Sequence, residues 1–198
     1  MSQLVESIKI LNGRCYNLAL HESRLNRSRF EVFGISDKCH LMQYIQVPEA
    51  YSYGLVKCRV IYDSDIREIT YSHYQIRKIQ SVKIVETENL NYEYKWIDRS
   101  QLDELFNQRC DADEIIIVNN GLVTDGYYYN LVFEKDGRFF TPKTPLLHGI
   151  QRASLFNKGK IEILDILGSD IAVFDKVHYI NALTPLGKIV VDIRNVIR

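Results

Sequence analysis

A two-domain α+β protein is the fold that the sequence predicts, and three observations predict it. Runs rich in β-branched and aromatic residues, of strand length, recur along the chain. Residues 20–33 and 149–158 break that pattern, with the mix of apolar and polar residues expected of helices. A polar stretch, residues 86–91, interrupts both patterns midway and divides the chain into residues 1–85 and 86–198. With 198 residues, 46% of them hydrophobic, the chain can bury a sizeable core without disulfides or metals.

Residues 4–11 read as a strand, and Asn12-Gly13 supplies the two positive-φ positions of a tight hairpin turn. The helix over residues 20–33 ends at Gly34, which suits a left-handed cap. A second short helix is expected from Ser36 or Asp37 to a point before Pro48. Strands at residues 55–62, 66–74 and 79–85, turned by Asp63-Ser64-Asp65, suit one antiparallel sheet. Asp98 can cap a helix that carries Leu102, Leu105 and Phe106 on one face. Beyond it, strands are expected at residues 114–118, 131–134, 138–141, 160–166, 177–182 and 188–193, with a turn at Asn120-Gly121.

Charge and cysteine usage exclude several function classes. The 25 basic and 25 acidic residues cancel, and no basic run is interleaved with aromatics, so nucleic acid is not an expected partner. No apolar run approaches the roughly 20 residues of a membrane span, and MSQLVESIKI has no secretory pattern; a cytoplasmic protein without membrane association is expected. Cys15, Cys39, Cys58 and Cys110 are far apart, with no zinc-like spacing, so free thiols and no metal are expected.

The tract ADEIIIVNNGLVTDGYYYNLVFEKDGRFFTP reads by itself as a β-hairpin followed by another strand. Within it, Asp125 stands at a strand end with Asn130 five residues on; after a proline-containing loop, PKTPLLHGIQR puts Gly149 and Ile150 at a helix start. The unsatisfied backbone N–H groups at such a start favour an anion. By default Asp125, followed by Gly126, is a turn residue, Arg24 a surface ion-pair partner and Lys95 a solvated surface group.

In combination these residues resemble the signatures of the class IV aminotransferase and aminodeoxychorismate lyase superfamily. Asp125 and Asn130, Thr141-Pro142 and GIQR at 149–152 are similar to its second-domain signature. YKWIDR at 94–99 resembles its lysine segment, in the lyase form that has an arginine four positions after the lysine. ESIKILNG and LALHESRL resemble its first-domain strand and HxxRL motif, and HYINALTPLG is similar to the NALxPV segment of the lyases. The likeness extends along nearly the whole chain.

The resemblance implies the D-amino-acid-aminotransferase-like fold of fold type IV enzymes and pyridoxal 5'-phosphate (PLP) as cofactor. It makes Lys95 the Schiff-base lysine and Arg24 a phosphate ligand, and it places Asp125 beside the pyridine nitrogen with Asn130 flanking it. Ile150 and Gln151 at the helix start, with Asn181, Ala182 and Thr184, complete the phosphate cradle. A lysine amine can form an imine with an aldehyde and then shuttle protons, and a carboxylate keeps the ring nitrogen protonated, which is why these residue types are needed. The activity implied is that of an aminodeoxychorismate lyase, with an aminotransferase for branched-chain or other small amino acids, or a non-catalytic PLP-binding relative, as alternatives. The partners implied are a small amino acid or aminodeoxychorismate-like substrate and a second copy of the chain in a homodimer.

Some residues depart from the family pattern. Asp125 stands where most members have glutamate, Gln151 where many have threonine, and Tyr127-Tyr128-Tyr129 where small residues are common; the resemblance also implies a short form that lacks the family's usual N-terminal segment ahead of Glu6. Tyr62 in place of an arginine argues against D-amino-acid transamination. Arg59, Tyr62 and Arg99 are candidates by position for the substrate carboxylate, and His21 is read as a packing residue.

Overall fold

The computed structural model describes residues 3–197. It forms two compact units: one runs to Gln75 and takes in Tyr94–Asp98, and the other comprises Ile76–Glu93 and the chain from Arg99 onward.

In the first unit, strands β1 (Leu4–Leu11) and β2 (Arg14–Cys15) form the expected hairpin, with Asn12 and Gly13 at φ 48° and 75°. Helix α1 (Leu18–Phe33) follows and ends at Gly34 in the left-handed conformation, its N–H returning to the last carbonyls. Strands β3 (Leu55–Tyr62) and β4 (Ile66–His73) complete an antiparallel sheet of order β2-β1-β3-β4. Leu4, Ile8 and Ile10 of β1 pack with Val56, Cys58, Val60 and Tyr62 of β3, under Leu25 of α1 and Leu41. Each such aliphatic side chain contributes roughly 1.5–3 kcal/mol on burial.

The face of α1 that turns inward carries His21, Leu25, Ser28 and Arg29, mostly polar groups, so it is stable only because each finds a partner. Arg29 donates to the carbonyls of Ser64 and Asp37 and to the Asp37 carboxylate. The same bonding explains why no second helix forms over residues 36–48, where the structure has only a 3-10 turn at Leu41–Gln43. Arg29 takes the Asp37 carbonyl, Asn26 takes both backbone groups of Cys39, and Glu22 accepts from the Leu41 N–H, which leaves the segment few backbone groups for a helical ladder.

The second unit contains two sheets. Strands β5 (Val82–Thr87), β6 (Glu114–Asn119) and β7 (Leu122–Val123) form one of them with the last strand of the chain, and helix α2 (Ser100–Asn107) lies between β5 and β6 in sequence. Strands β8 (Asn130–Lys135) and β9 (Arg138–Pro142), helix α3 (Ile150–Asn157), and strands β10 (Glu162–Leu164), β11 (Lys176–Ile180) and β12 (Val190–Asp192) follow, then β13 (Val196–Ile197). The sheet orders are β10-β9-β8-β11-β12 and β13-β5-β6-β7. Val82, Ile116, Val118, Leu131, Phe133, Val177 and Tyr179 share one core.

Two expectations need correction. The segment at 79–85 does not join the first antiparallel sheet: β5 pairs in parallel with β6. Its start is delayed to Val82 because the Asp113 carboxylate accepts from the N–H groups of Gln80 and Ser81. The N-cap position of α2 falls on Arg99, whose side chain makes no cap hydrogen bond, and not on Asp98. Tyr127 and Tyr128 lie in a bend, because an isolated bridge joins Asp125 to Asn130 and loops out the residues between.

Candidate active site

The first unit buries a carboxylate. Glu6 of β1 has no exposed surface, and Arg24 of α1 grips it through two bonds, Nε to Oε1 at 2.7 Å and a terminal nitrogen to Oε2 at 2.6 Å. His21, one helical turn earlier and fully buried, donates from Nδ1 to Oε2 at 2.6 Å, so its role exceeds the packing expected of it. Burial pushes the Glu6 carboxyl up, but the Arg24 charge and the hydrogen bonds from His21 and Arg24 outweigh it and hold the group at about 2. The Glu6-facing edge of Arg24 is therefore committed within the protein.

Lys95 lies in an irregular, half-buried segment that runs along the same strand. The Val5 N–H donates to the Lys95 carbonyl at 2.9 Å, Trp96 bridges Leu4, and the Ile97 N–H donates to Gln3. Lys95 and Arg24 are thus both anchored on β1.

The second unit groups its candidates at one end of one sheet. Asn130, the first residue of β8, lies opposite Ile180, the last of β11, so the turn from Asn181 to Thr184 begins beside it. Asn130 donates from Nδ2 to Asp125 Oδ1 at 2.7 Å and to the Leu147 carbonyl at 2.8 Å, and the Leu147 N–H returns to Asp125 Oδ2 at 2.9 Å. Asp125 is 5% exposed; burial pushes its carboxyl up to about 6, against the opposing pull of Leu147, Asn130 and Arg152.

This three-residue lock leads into α3. A Cβ on Gly149 would stand 1.8 Å from Asn130 Oδ1, so only glycine allows the amide to lie across the helix start. Gly149 gives α3 no side-chain cap, and the N–H groups of buried Ile150 and half-buried Gln151 have no acceptor within the helix. Arg152, one turn on, clamps the Thr141 hydroxyl and the Pro142 carbonyl, which ties the GIQR and Thr-Pro motifs together.

The Asn181 side chain accepts from the N–H groups of Leu183 and Thr184, with half-buried Ala182 between, and this closes the turn. Thr184 is fully buried, yet its Oγ1 has no hydrogen-bond partner. Such a hydroxyl costs about 1–3 kcal/mol unless something binds it.

Two features were not foreseen. Glu114 on β6 is fully buried; its Oε1 accepts from the N–H groups of Ile115 and Tyr127, its Oε2 has no partner, and burial pushes it up to about 7. Arg99 lies among the rings of Tyr92, Tyr127 and Tyr128, with guanidinium-to-ring distances of 5.4, 4.8 and 4.3 Å. The tyrosine run hinted at this cluster, whereas nothing local in the sequence marks a buried Glu114. Of the other two positions considered for a substrate carboxylate, Tyr62 is buried in the first core and Arg59 is half-buried on β3. Among the described residues there is no group of three or more His, Cys, Asp or Glu side chains that could hold a metal ion, and no helix is long and apolar enough to cross a membrane.

The chain matches the amino-transferase class IV family over residues 3–190, and it belongs to that family. It is 38% identical over 188 residues to an uncharacterized protein of Haemophilus influenzae, covering 94% of this chain and 100% of the other. The fold is similar to a crystal structure from Haemophilus somnus 129PT, provisionally named a 4-amino-4-deoxychorismate lyase, with TM-score 0.88, 30% identity, and coverage of 94% of this chain and 98% of that one. A PLP-bound hypothetical aminotransferase from Mycobacterium tuberculosis shares the fold at TM-score 0.77 and 17% identity, covering 98% of this chain and 82% of its own.

Proposed function

We propose that this protein binds PLP covalently through Lys95 and acts as a lyase of the 4-amino-4-deoxychorismate kind, releasing pyruvate and 4-aminobenzoate. The observation that carries the cofactor reading is the end of the β8–β11 sheet, where a buried, unpartnered Thr184 hydroxyl, uncapped N–H groups at Ile150 and Gln151, and a buried carboxylate at Asp125 are brought together. That donor set fits a phosphorylated pyridine: hydroxyl and N–H groups suit phosphate oxygens, and an acid suits a ring nitrogen. The choice of lyase is supported by the likeness to the Haemophilus somnus protein and by Arg99 standing four positions after Lys95.

PLP, when bound, supplies an electron sink for breaking a bond at the α-carbon of an amine substrate. The chain's own residues do the rest. The Lys95 amine holds the cofactor and afterwards takes up and returns protons as base and acid. Arg24, kept in one orientation by Glu6 and His21, supplies positive charge to the phosphate, and Ile150, Gln151, Asn181, Ala182 and Thr184 orient it. Asp125 keeps a proton on the ring nitrogen, and Asn130 with Leu147 keeps Asp125 aimed. The proposal includes a homodimer, which sedimentation at micromolar concentration tests.

The discriminating experiment supplies PLP and compares pyruvate release from aminodeoxychorismate with 2-oxoglutarate-dependent amino transfer from branched-chain amino acids. Pyruvate release that disappears in Lys95→Ala is expected. Amino transfer without pyruvate release would replace the lyase by an aminotransferase, and neither reaction would favour a non-catalytic relative.

A further inference from the structure

Arg99 is a half-buried cation without a carboxylate. No acidic group of the described residues lies within ion-pair distance of its guanidinium; the nearest acid on its own helix, Asp103, instead takes the Tyr127 hydroxyl. One terminal nitrogen donates to the Tyr92 hydroxyl at 3.2 Å and the other to the Tyr127 carbonyl. The Nε–H is buried and has no partner at all. Arg99 is also the N-cap of α2, where the helix dipole disfavours a positive charge and where Ser, Thr, Asp or Asn would serve better. Sequestered charges in proteins are ordinarily paired, and three neutral rings do not replace an anion.

The surroundings indicate what the anion carries. Tyr127 is fixed from behind by stacking on Phe106, with ring centroids 4.1 Å apart, and presents a flat wall. Tyr128 lies over the guanidinium, yet is 48% exposed, and its hydroxyl makes only a long 3.4 Å bond to Tyr127, so one side of its ring, which meets Tyr127 edge-on with centroids 4.2 Å apart, is open to solvent. The Tyr128 carbonyl accepts from Asn181 Nδ2, which ties this cluster to the turn that ends at Thr184.

We propose that Arg99, covered by Tyr128, binds the carboxylate of a substrate whose carboxylate sits on a flat aromatic or conjugated ring. The carboxylate pairs with the Nε edge of the guanidinium while the ring lies against Tyr127 and Tyr128, the planar fork of arginine being suited to two-point binding. This deepens the lyase reading and rests on it for treating the bound anion as substrate.

The test titrates the full-length chain, with and without PLP, with benzoate, its neutral isostere benzamide, and acetate, followed by calorimetry. Benzoate should bind at least about tenfold more tightly than benzamide and than acetate. Arg99→Gln should lose that preference, Arg99→Lys should recover it only in part, and Lys95→Ala should keep it. Retention in Lys95→Ala and without PLP separates this site from the cofactor reading, which can fail alone. Equal binding of benzoate and benzamide to the wild type, or undiminished benzoate binding in a folded Arg99→Gln, would overturn the proposal and leave Arg99 as a staple for the tyrosine loop. The wild-type comparison decides the matter even if neither Arg99 variant folds.

Discussion

Asp125 and Asn130 face each other across a single antiparallel bridge, and their side chains meet at 2.7 Å on the same side of it. Each is also bonded to Leu147, so a carboxylate, an amide and a loop backbone form one closed unit at the foot of α3.

Asp125→Asn should therefore cost stability as well as turnover. Both carboxylate oxygens accept hydrogen bonds, whereas an amide offers one oxygen and sets an NH2 against a donor. A loss of about 1–3 kcal/mol in urea unfolding is expected, together with lower activity. Unchanged stability would mean that the contact to Asn130 or Leu147 is not maintained in solution.

Gly149→Ala should act on the same unit from the other side. The added methyl meets Asn130 Oδ1, and that amide cannot yield freely because its Nδ2 is held by Asp125 and Leu147. Unfolding should become easier by about 1–3 kcal/mol, with weaker PLP retention on dialysis. A variant with wild-type stability and cofactor retention would show that Asn130 has room to move.

Glu6 should govern part of the acid sensitivity. Its carboxyl is lowered from 4.5 to about 2, so the stability it contributes is present above pH 4.5 and lost as the pH falls through about 2. Glu6→Gln should lack that component, on the order of 3 kcal/mol, because the amide carries no charge toward Arg24. Parallel acid-unfolding curves for wild type and variant would contradict the Arg24 pairing.

Glu114 carries the opposite sign. Raised from 4.5 to about 7 by burial, it favours the folded state fully below pH 4.5, and that contribution is lost as the pH rises through about 7. Glu114→Gln keeps an oxygen for the Ile115 and Tyr127 N–H groups and removes the titration. Its stability relative to wild type should rise between pH 4.5 and 8, by on the order of 3 kcal/mol. A pH-independent difference would show that Glu114 is hydrated in solution.

Much of the fold was legible because it is written locally. Asn12-Gly13, Gly34 and Asn120-Gly121 mark positions that need positive φ, and the β-branched runs before and between them became β1, β3 and β6. What could not be read depends on partners distant in sequence. Residues 36–48 fail to form a helix because side chains of α1 take their backbone groups, and β5 changes sheet because its partner, β6, lies beyond α2. The same holds at the candidate site. Motif order pointed to Asp125, Asn130 and the α3 start, which the fold groups with the Asn181–Thr184 turn. The burial of Glu6 and Glu114, and the missing counter-ion of Arg99, emerge only when strands and loops distant in sequence come together.

The most direct measurement is to load the protein with PLP, reduce with borohydride, digest, and locate the pyridoxyl group by mass spectrometry. Near-stoichiometric labelling at Lys95, lost in Lys95→Ala without migration to another lysine, is the expected result. Labelling scattered over exposed lysines, or equal labelling of Lys95→Ala, would contradict Lys95 as the cofactor's anchor.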